Sequence, residues 1–223
     1  MKTIVLLSGG LDSTTALYWS LHEGWDVTAL TFDIQQTSRM DIQASKSIIK
    51  QAGNLRHKII RLPFYNSFTI HRSIASDGKD GNSISKDYLP VRNAIFYSIG
   101  AGFAETIGAQ QIVSGSTKED GLDLPDARIE FYTLMNQMLR DNTRSGVVGQ
   151  PIRILTPLID KNHSEVLQIA NNLKVPLELT WSCYNDEPPA CGKCRGCRAR
   201  LSAFAQLGIQ DPIEYVKSND SKL

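Results

Sequence analysis

Ser8, Asp12 and Ser13 are spaced to handle phosphate. They lie in the run Leu7-Ser8-Gly9-Gly10-Leu11-Asp12-Ser13-Thr14-Thr15, which takes over from the apolar stretch Ile4-Val5-Leu6-Leu7. That stretch reads as a parallel strand buried on both faces. Leu11, Thr15, Tyr18 and Leu21 then share one face of a helix, with Leu17 beside them. A strand, a Gly-Gly turn and a helix start gather unpaired backbone N–H groups where the helix dipole is positive. Such a point suits phosphate or pyrophosphate. Ser8 and Ser13 add hydroxyl donors, and Thr14 follows. Asp12 alone repels an anion, and Mg²⁺ bound with the phosphates resolves that conflict. The plainer alternative is a strand-to-helix turn with Asp12 or Ser13 as N-cap.

The second chemical cluster is Cys183 with Cys191-Gly192-Lys193-Cys194-Arg195-Gly196-Cys197, which takes in all four cysteines of the chain. Two consecutive Cys-x-x-Cys turns and a fourth thiolate suit tetrahedral Zn²⁺, and four thiolates close the shell, so the metal is structural. Lys193, Arg195, Arg198 and Arg200 offset its negative charge. An iron–sulfur cluster is the competing reading; disulfides require an oxidising compartment. No cysteine is left over as a nucleophile.

The rest of the chain supplies elements to position these groups. Strands are expected at 27–32, 57–62, 112–114 and 152–155. Helices are expected at 42–52, at 94–107 before a Gly108 stop, and from 126 to about 139. Asn162-His163-Ser164-Glu165 has the form of a capping box opening a last helix. Residues 118–125 read as a polar loop. Residues 63–86 are irregular, with 76–83 a surface loop or a lid. The alternation predicts an α/β fold, a doubly wound, mostly parallel five-stranded sheet of Rossmann-like form. Ligands then bind beyond the carboxyl ends of the strands, where residues 8–13, Asp33, residues 115–126 and residues 157–163 fall. We expect an ATP-handling domain over residues 1–175 and a small zinc-binding segment over 176–223 packed on it.

Composition narrows the partners. With 24 basic and 23 acidic residues among 223, the net charge is +1, so no bulk field draws nucleic acid or membrane. No apolar run has membrane-span length and no signal-peptide pattern opens the chain, so a cytoplasmic location is the default.

The Ser-Gly-Gly-Leu-Asp-Ser string resembles the pyrophosphate loop of ATP pyrophosphatases, whose fold is that of the adenine nucleotide alpha hydrolases. More specifically, the chain resembles the 7-cyano-7-deazaguanine synthases (QueC). The matching elements are residues 8–13, Pro90-Val91-Arg92-Asn93, Pro125-Asp126 with Arg128, Glu130 and Phe131, and Thr156-Pro157-Leu158. Thr180-Trp181-Ser182-Cys183-Tyr184, the three clustered cysteines, Arg200 and Phe204 complete them. The resemblance implies adenylation of 7-carboxy-7-deazaguanine by ATP, displacement of AMP by ammonia, and dehydration of the amide to a nitrile. It implies ATP contacts from Ser8, Gly9, Gly10, Leu11, Asp12, Ser13, Thr14, Asp33 and Gly115. Asp12, Arg92, Asn93 and His163 would serve catalysis, and Gln36, Arg92, Asp126 and Arg128 the substrate. Asp126 would read the guanine-like edge. The four cysteines would hold structural zinc, and the assembly would be a homodimer.

Several positions depart from the family pattern. Ile34-Gln35-Gln36-Thr37-Ser38 keeps only Gln36. Residues 117–127 lack the usual aromatic-rich run, and His163 replaces a lysine. A diverged relative in an anti-phage system, passing a deazaguanine to a protein or nucleic acid, is one alternative. A tRNA-modifying ATP pyrophosphatase is another.

Overall fold

The computed structural model describes residues 1–34, 39–64 and 88–216. Gln36 and the 76–83 loop lie outside these residues. Five strands form the sheet: β1 (Lys2–Leu6), β2 (Asp26–Asp33), β3 (Arg56–Arg61), β4 (Gln111–Val113) and β5 (Arg153–Leu155). All pair in parallel, in the order β3-β2-β1-β4-β5. The chain winds outward from β1 to β3, then crosses to the other side of β1. The order reverses between β1 and β4, and there the strand ends open a crevice.

Successive side chains on a strand face opposite sides of the sheet. Val5, Val27, Ala29 and Val113 therefore join α1 (Leu11–His22) and α2 (Arg39–Gln51) in one apolar core. Ile4, Leu30, Ile112 and Ile154 join α3 (Arg92–Ile107) and α5 (Ile129–Asn142) in another. The buried run of β1 is thus shared between two cores, which is why it carries no polar alternation.

Two expectations need correction. Residues 118–125 are not a loop throughout, because α4 spans Lys118–Asp123. Thr117 caps it, accepting from the Asp120 N–H while the Asp120 carboxylate accepts from the Thr117 N–H. The following helix does not open at Asp126. Pro125–Ala127 form a 3-10 turn, and α5 starts at Ile129. A short α6 (Arg144–Val147) follows α5.

The cysteine-bearing segment packs on the α/β core: Trp181, Cys183, Ala190 and Cys197 lie in the same apolar cluster as Val5 and Leu17. Helix α8 (Arg195–Gln206) rests against α7 (His163–Asn172) through Phe204, Ala203 and Leu167, and Leu11 at the head of α1 joins them. Arg200, 3% exposed, anchors the chain end. Its guanidinium donates to Asp211 at 2.7 and 2.9 Å, to Thr180 Oγ1 at 2.5 Å and to the Leu177 carbonyl at 3.0 Å. A buried charge so fully engaged fixes geometry rather than adding much net stability. Among the described residues, no helix is long and apolar enough to cross a membrane.

Candidate active site

The turn between β1 and α1 holds its shape by internal hydrogen bonds. The Ser8 N–H donates to Ser13 Oγ at 3.1 Å, the two serine hydroxyls meet at 2.8 Å, and Thr14 Oγ1 donates to the Gly10 carbonyl at 2.7 Å. The N-cap is Gly10, not Asp12 or Ser13, so no side chain closes the helix start. The first-turn N–H groups of α1 receive no capping side chain and can meet an anion, while the Gly10 N–H already donates to Ser8 Oγ at 3.3 Å and Ser13 Oγ to the Gly10 carbonyl at 3.2 Å. Gly9 has φ +90°, and a Cβ there would lie 2.4 Å from the Asp41 carbonyl at the head of α2. Gly115, just past β4, comes so close that a Cβ would lie 2.7 Å from the Ser13 backbone. Both positions require glycine.

A crevice of about 350 Å³ opens above this turn; Ser8, Asp12, Ser13, Phe32, Arg92 and Asp120 are among its walls. Ser114 and Ser116 line it too, backed by Tyr97 and Tyr132. Tyr97 donates to Ser114 Oγ at 2.5 Å, and the Ser116 and Tyr132 hydroxyls are 2.5 Å apart. Burial pushes the Tyr97 phenol well above its usual range, so it stays a neutral donor.

Acidic groups converge at its edge. Oδ1 of Asp12 and Oε2 of Glu119 are buried without a hydrogen-bond partner. Burial, and next the charge of Asp12, push the Asp120 carboxyl up. His163 Nδ1 stands 3.8 Å from Asp12 Oδ1, an ion-pair distance too long for a good hydrogen bond. The Asp12 carboxylate holds the imidazole up to about 9 against the opposing effect of burial; Glu119 and Asp120 assist. Asp12 and Asp120 line the crevice beside the turn, where carboxylate oxygens fit a hard cation, whereas Glu119 lines a separate hollow with His163 and Ser164.

The other expected residues fall in distinct places. Arg92 lines the crevice at the start of α3, as does Asn93. Val91, just before them, adopts the left-handed conformation at φ 56°, which a β-branched residue resists. The Asn93 N–H donates to Asp126 Oδ2 at 3.0 Å and its amide to the Asp126 carbonyl at 2.7 Å. Asp126 thus caps α3 from a distance, 8% exposed, while its neighbours Leu124 and Ala127 form the crevice wall. Arg128 caps nothing with its side chain and donates to the Gly121 carbonyl at 3.2 Å. Asp33 stands 3.5 Å from Arg61 Nε. Leu11 turns into the apolar cluster with Phe204.

The four cysteine sulfurs lie within 4.8 Å of one another and could hold a metal ion. Backbone N–H groups point at them. Asn185 and Cys191 donate to Cys183, Lys193 and Cys194 to Cys191, and Cys197 to Cys194, at 3.2–3.4 Å. The two N–H bonds onto Cys191 draw its thiol down to about 6, toward the thiolate a metal needs. Cys194 Sγ also caps α8. The segment reaches the phosphate turn directly, because the Trp181 N–H donates to the Gly9 carbonyl at 2.9 Å.

Glu119 and Asp120 fall within the stretch 115–126 expected at the ligand end, but no sequence signal singles them out there, although Thr117-x-x-Asp120 has the form of a capping box. Reading the sequence passed over Trp181 and Tyr184 as cavity walls. Nothing in their spacing separates them from ordinary packing residues.

Parallel sheet, crevice at the strand-order switch and anion turn together define an α/β protein of the adenine nucleotide alpha hydrolase-like class. Solved structures agree on the fold. U34-tRNA thiolase NcsA from Methanococcus maripaludis superposes with TM-score 0.51 at 16% identity, covering 93% of this chain and 66% of that one. NMN synthetase from Francisella tularensis gives 0.50 at 16% identity, covering 97% and 79%. The model of the family described as queuosine biosynthesis protein QueC matches residues 2–208, and the chain belongs to that family of enzymes. Among its relatives is the 7-cyano-7-deazaguanine synthase of Acaryochloris marina, 40% identical over 96% of this chain and 99% of its own length. The synthase of Acetivibrio thermocellus is 38% identical over 97% of this chain and 98% of its own.

Proposed function

We propose that this enzyme is itself a 7-cyano-7-deazaguanine synthase, converting 7-carboxy-7-deazaguanine to the nitrile with ATP and ammonia. The observation that carries the reading is the end-to-end likeness to synthases, 40% over nearly both full lengths, coinciding with an intact anion turn at residues 8–13. The likeness favours the synthase over the transfer and tRNA-modifying alternatives.

In this reading, a carboxylate oxygen of the substrate attacks the α-phosphorus of ATP. An acyl–O–P bond forms, the bond to pyrophosphate breaks, and ammonia then displaces AMP to give the amide. The amide oxygen then attacks the α-phosphorus of a second ATP, with loss of pyrophosphate. Cleavage of the C–O bond releases AMP with that oxygen, and the nitrogen gives up its two protons to leave the nitrile. The first-turn N–H groups of α1 and the Ser8 and Ser13 hydroxyls hold the departing pyrophosphate. Arg92 offsets charge on the attacked phosphorus. Asp12, with Asp120 on the same crevice wall, would hold the Mg²⁺ that accompanies ATP, and Asp12 Oδ1, which accepts no hydrogen bond and meets only the long 3.8 Å ion pair from His163, fits that task. When bound, that ion neutralises phosphate charge. His163 orients Asp12 through its ion pair.

The cysteines would hold Zn²⁺ in a structural role. A tetrahedral Zn–thiolate site has S–S edges of about 3.8 Å, and Cys191 and Cys197 stand 3.9 Å apart. A four-iron cluster would place each thiolate on its own iron and spread the sulfurs further.

The test is incubation with 7-carboxy-7-deazaguanine, ATP and ammonium, followed by mass-resolved products. Formation of AMP with the amide and then the nitrile is expected. AMP release that the acid does not stimulate would sink the reading.

A further inference from the structure

Two cavities meet at the phosphate turn, and we propose that the smaller one seats the deazapurine acid while the larger one is confined to the nucleotide. This assignment rests on the synthase reading. It goes beyond that reading by naming which walls recognise the second substrate.

The larger cavity, the crevice of about 350 Å³, has two chemically distinct ends. One is the anion turn with Ser8 and Ser13. The other is apolar, lined by Leu30, Phe32 and Phe96, and the two phenyl rings stack with centroids 4.1 Å apart. Phosphates at one end and an adenine ring at the other match that polarity.

The smaller cavity, about 240 Å³, lies between the head of α1, His163 and the cysteine-bearing segment. Trp181, Ser182, Tyr184, Arg195 and His163 are among its walls, together with Asp12 and Asp120. Arg195 is ion-paired to Asp123, Arg200 to Asp211 and His163 to Asp12, so among the described residues Arg92, where the two cavities meet, is the cation left to meet a carboxylate. Tyr184 stands at the cavity mouth, 55% exposed. An aromatic wall with a guanidinium toward the junction suits a planar heterocycle whose carboxylate points at Arg92.

The junction is the decisive feature. Asp12, Arg92 and Asp120 line both cavities. Adenylation demands that the carboxylate oxygen and the α-phosphorus meet in line, with pyrophosphate on the far side. A base against Tyr184 with its carboxylate toward Arg92 meets a nucleotide whose phosphates lie on the turn. Asp126, the acid that the family resemblance assigns to the base, is instead engaged by the Asn93 N–H.

The experiment is acid-dependent ATP–pyrophosphate exchange by the metal-loaded protein, wild type against Tyr184→Ala and Tyr184→Phe. Tyr184→Ala should raise KM for 7-carboxy-7-deazaguanine about tenfold, the order of a lost base–aromatic stack. KM for ATP should stay within about twofold, and Tyr184→Phe should restore the acid KM. A rise in the ATP KM with the acid KM unchanged would reverse the assignment, and no change in either would remove it. Wild-type exchange that ignores the acid would overturn the synthase reading and this assignment together, a result visible before any variant is made.

Discussion

The phosphate turn and the cysteine segment lie one hydrogen bond apart, from Trp181 N–H to the Gly9 carbonyl, yet they are ordered by opposite means. The turn takes its shape from the chain itself. A buried strand enters, a helix leaves, and the serine hydroxyls and the close approach of Gly115 fix what lies between. Residues 182–194 have almost no regular structure, and their N–H groups converge on sulfur rather than on carbonyls. Backbone donors spent on thiolates make sense when a metal holds the thiolates in place. In the proposed reading, one region takes a ligand in order to act and the other takes one in order to fold.

The largest expected effect tests the dependent half. Cys194→Ser removes both a proposed zinc ligand and the Sγ that caps α8, and structural zinc, where bound, contributes on the order of 10 kcal/mol to the folding of such a segment. Metal content should fall from one ion per chain toward none, with soluble yield falling alongside. A metal-free variant that melts like the wild type would erase the contrast. Next, Asp12→Ala tests the self-ordered half. It touches no core packing but removes the ion pair to His163, so the melting temperature should fall by only roughly a few degrees, while pyrophosphate release drops roughly 10²–10³-fold, the scale of a lost electrostatic partner. Collapse of the fold in that variant would show that the turn depends on its charge after all.

The smallest effect concerns the support behind the turn. Thr31 Oγ1 donates to the Leu7 carbonyl at 2.7 Å and lies 2.8 Å from His57 Nε2. Burial, with Lys46 assisting, pushes the His57 imidazole below its ordinary value. The unfolded chain then binds the proton first, so this contribution is complete above about pH 6.5 and is lost as pH falls toward the lowered folded value. Between pH 7.5 and 5.5 the loss should be the smallest of these effects. Urea unfolding of wild type and His57→Gln at both pH values isolates it, and equal slopes would count against the pinning of Leu7.

The same contrast explains what the sequence revealed. The five strands and the phosphate turn were legible because a parallel sheet writes itself as apolar runs, such as Ile4 to Leu7, followed by glycine. The cysteines were legible because metal ligands have few spacings. Residues 118–127 were misread because their polar composition masks a capping box, and because Pro125 restarts the chain in a separate turn. The partnership of Asp126 with Asn93 joins residues 33 positions apart. No local pattern announces such a contact. The cavity walls at Trp181 and Tyr184 arise only when the cysteine segment folds back on the head of α1.

Val91 carries a consequence for how this chain can change. A β-branched residue at φ 56° costs about 1–3 kcal/mol and persists only where its surroundings enforce it. Here the Tyr88 hydroxyl accepts from the Val91 N–H at 3.2 Å on one side, and the Asn93–Asp126 pair grips the chain on the other. The side chain is 54% exposed, so packing does not explain the valine. Glycine at this position would relieve the strain and slacken the approach to Arg92. Glycine at position 91 also frees the unfolded chain, so relief of strain in the fold and the added entropy outside it pull stability in opposite directions at one solvent-facing side chain.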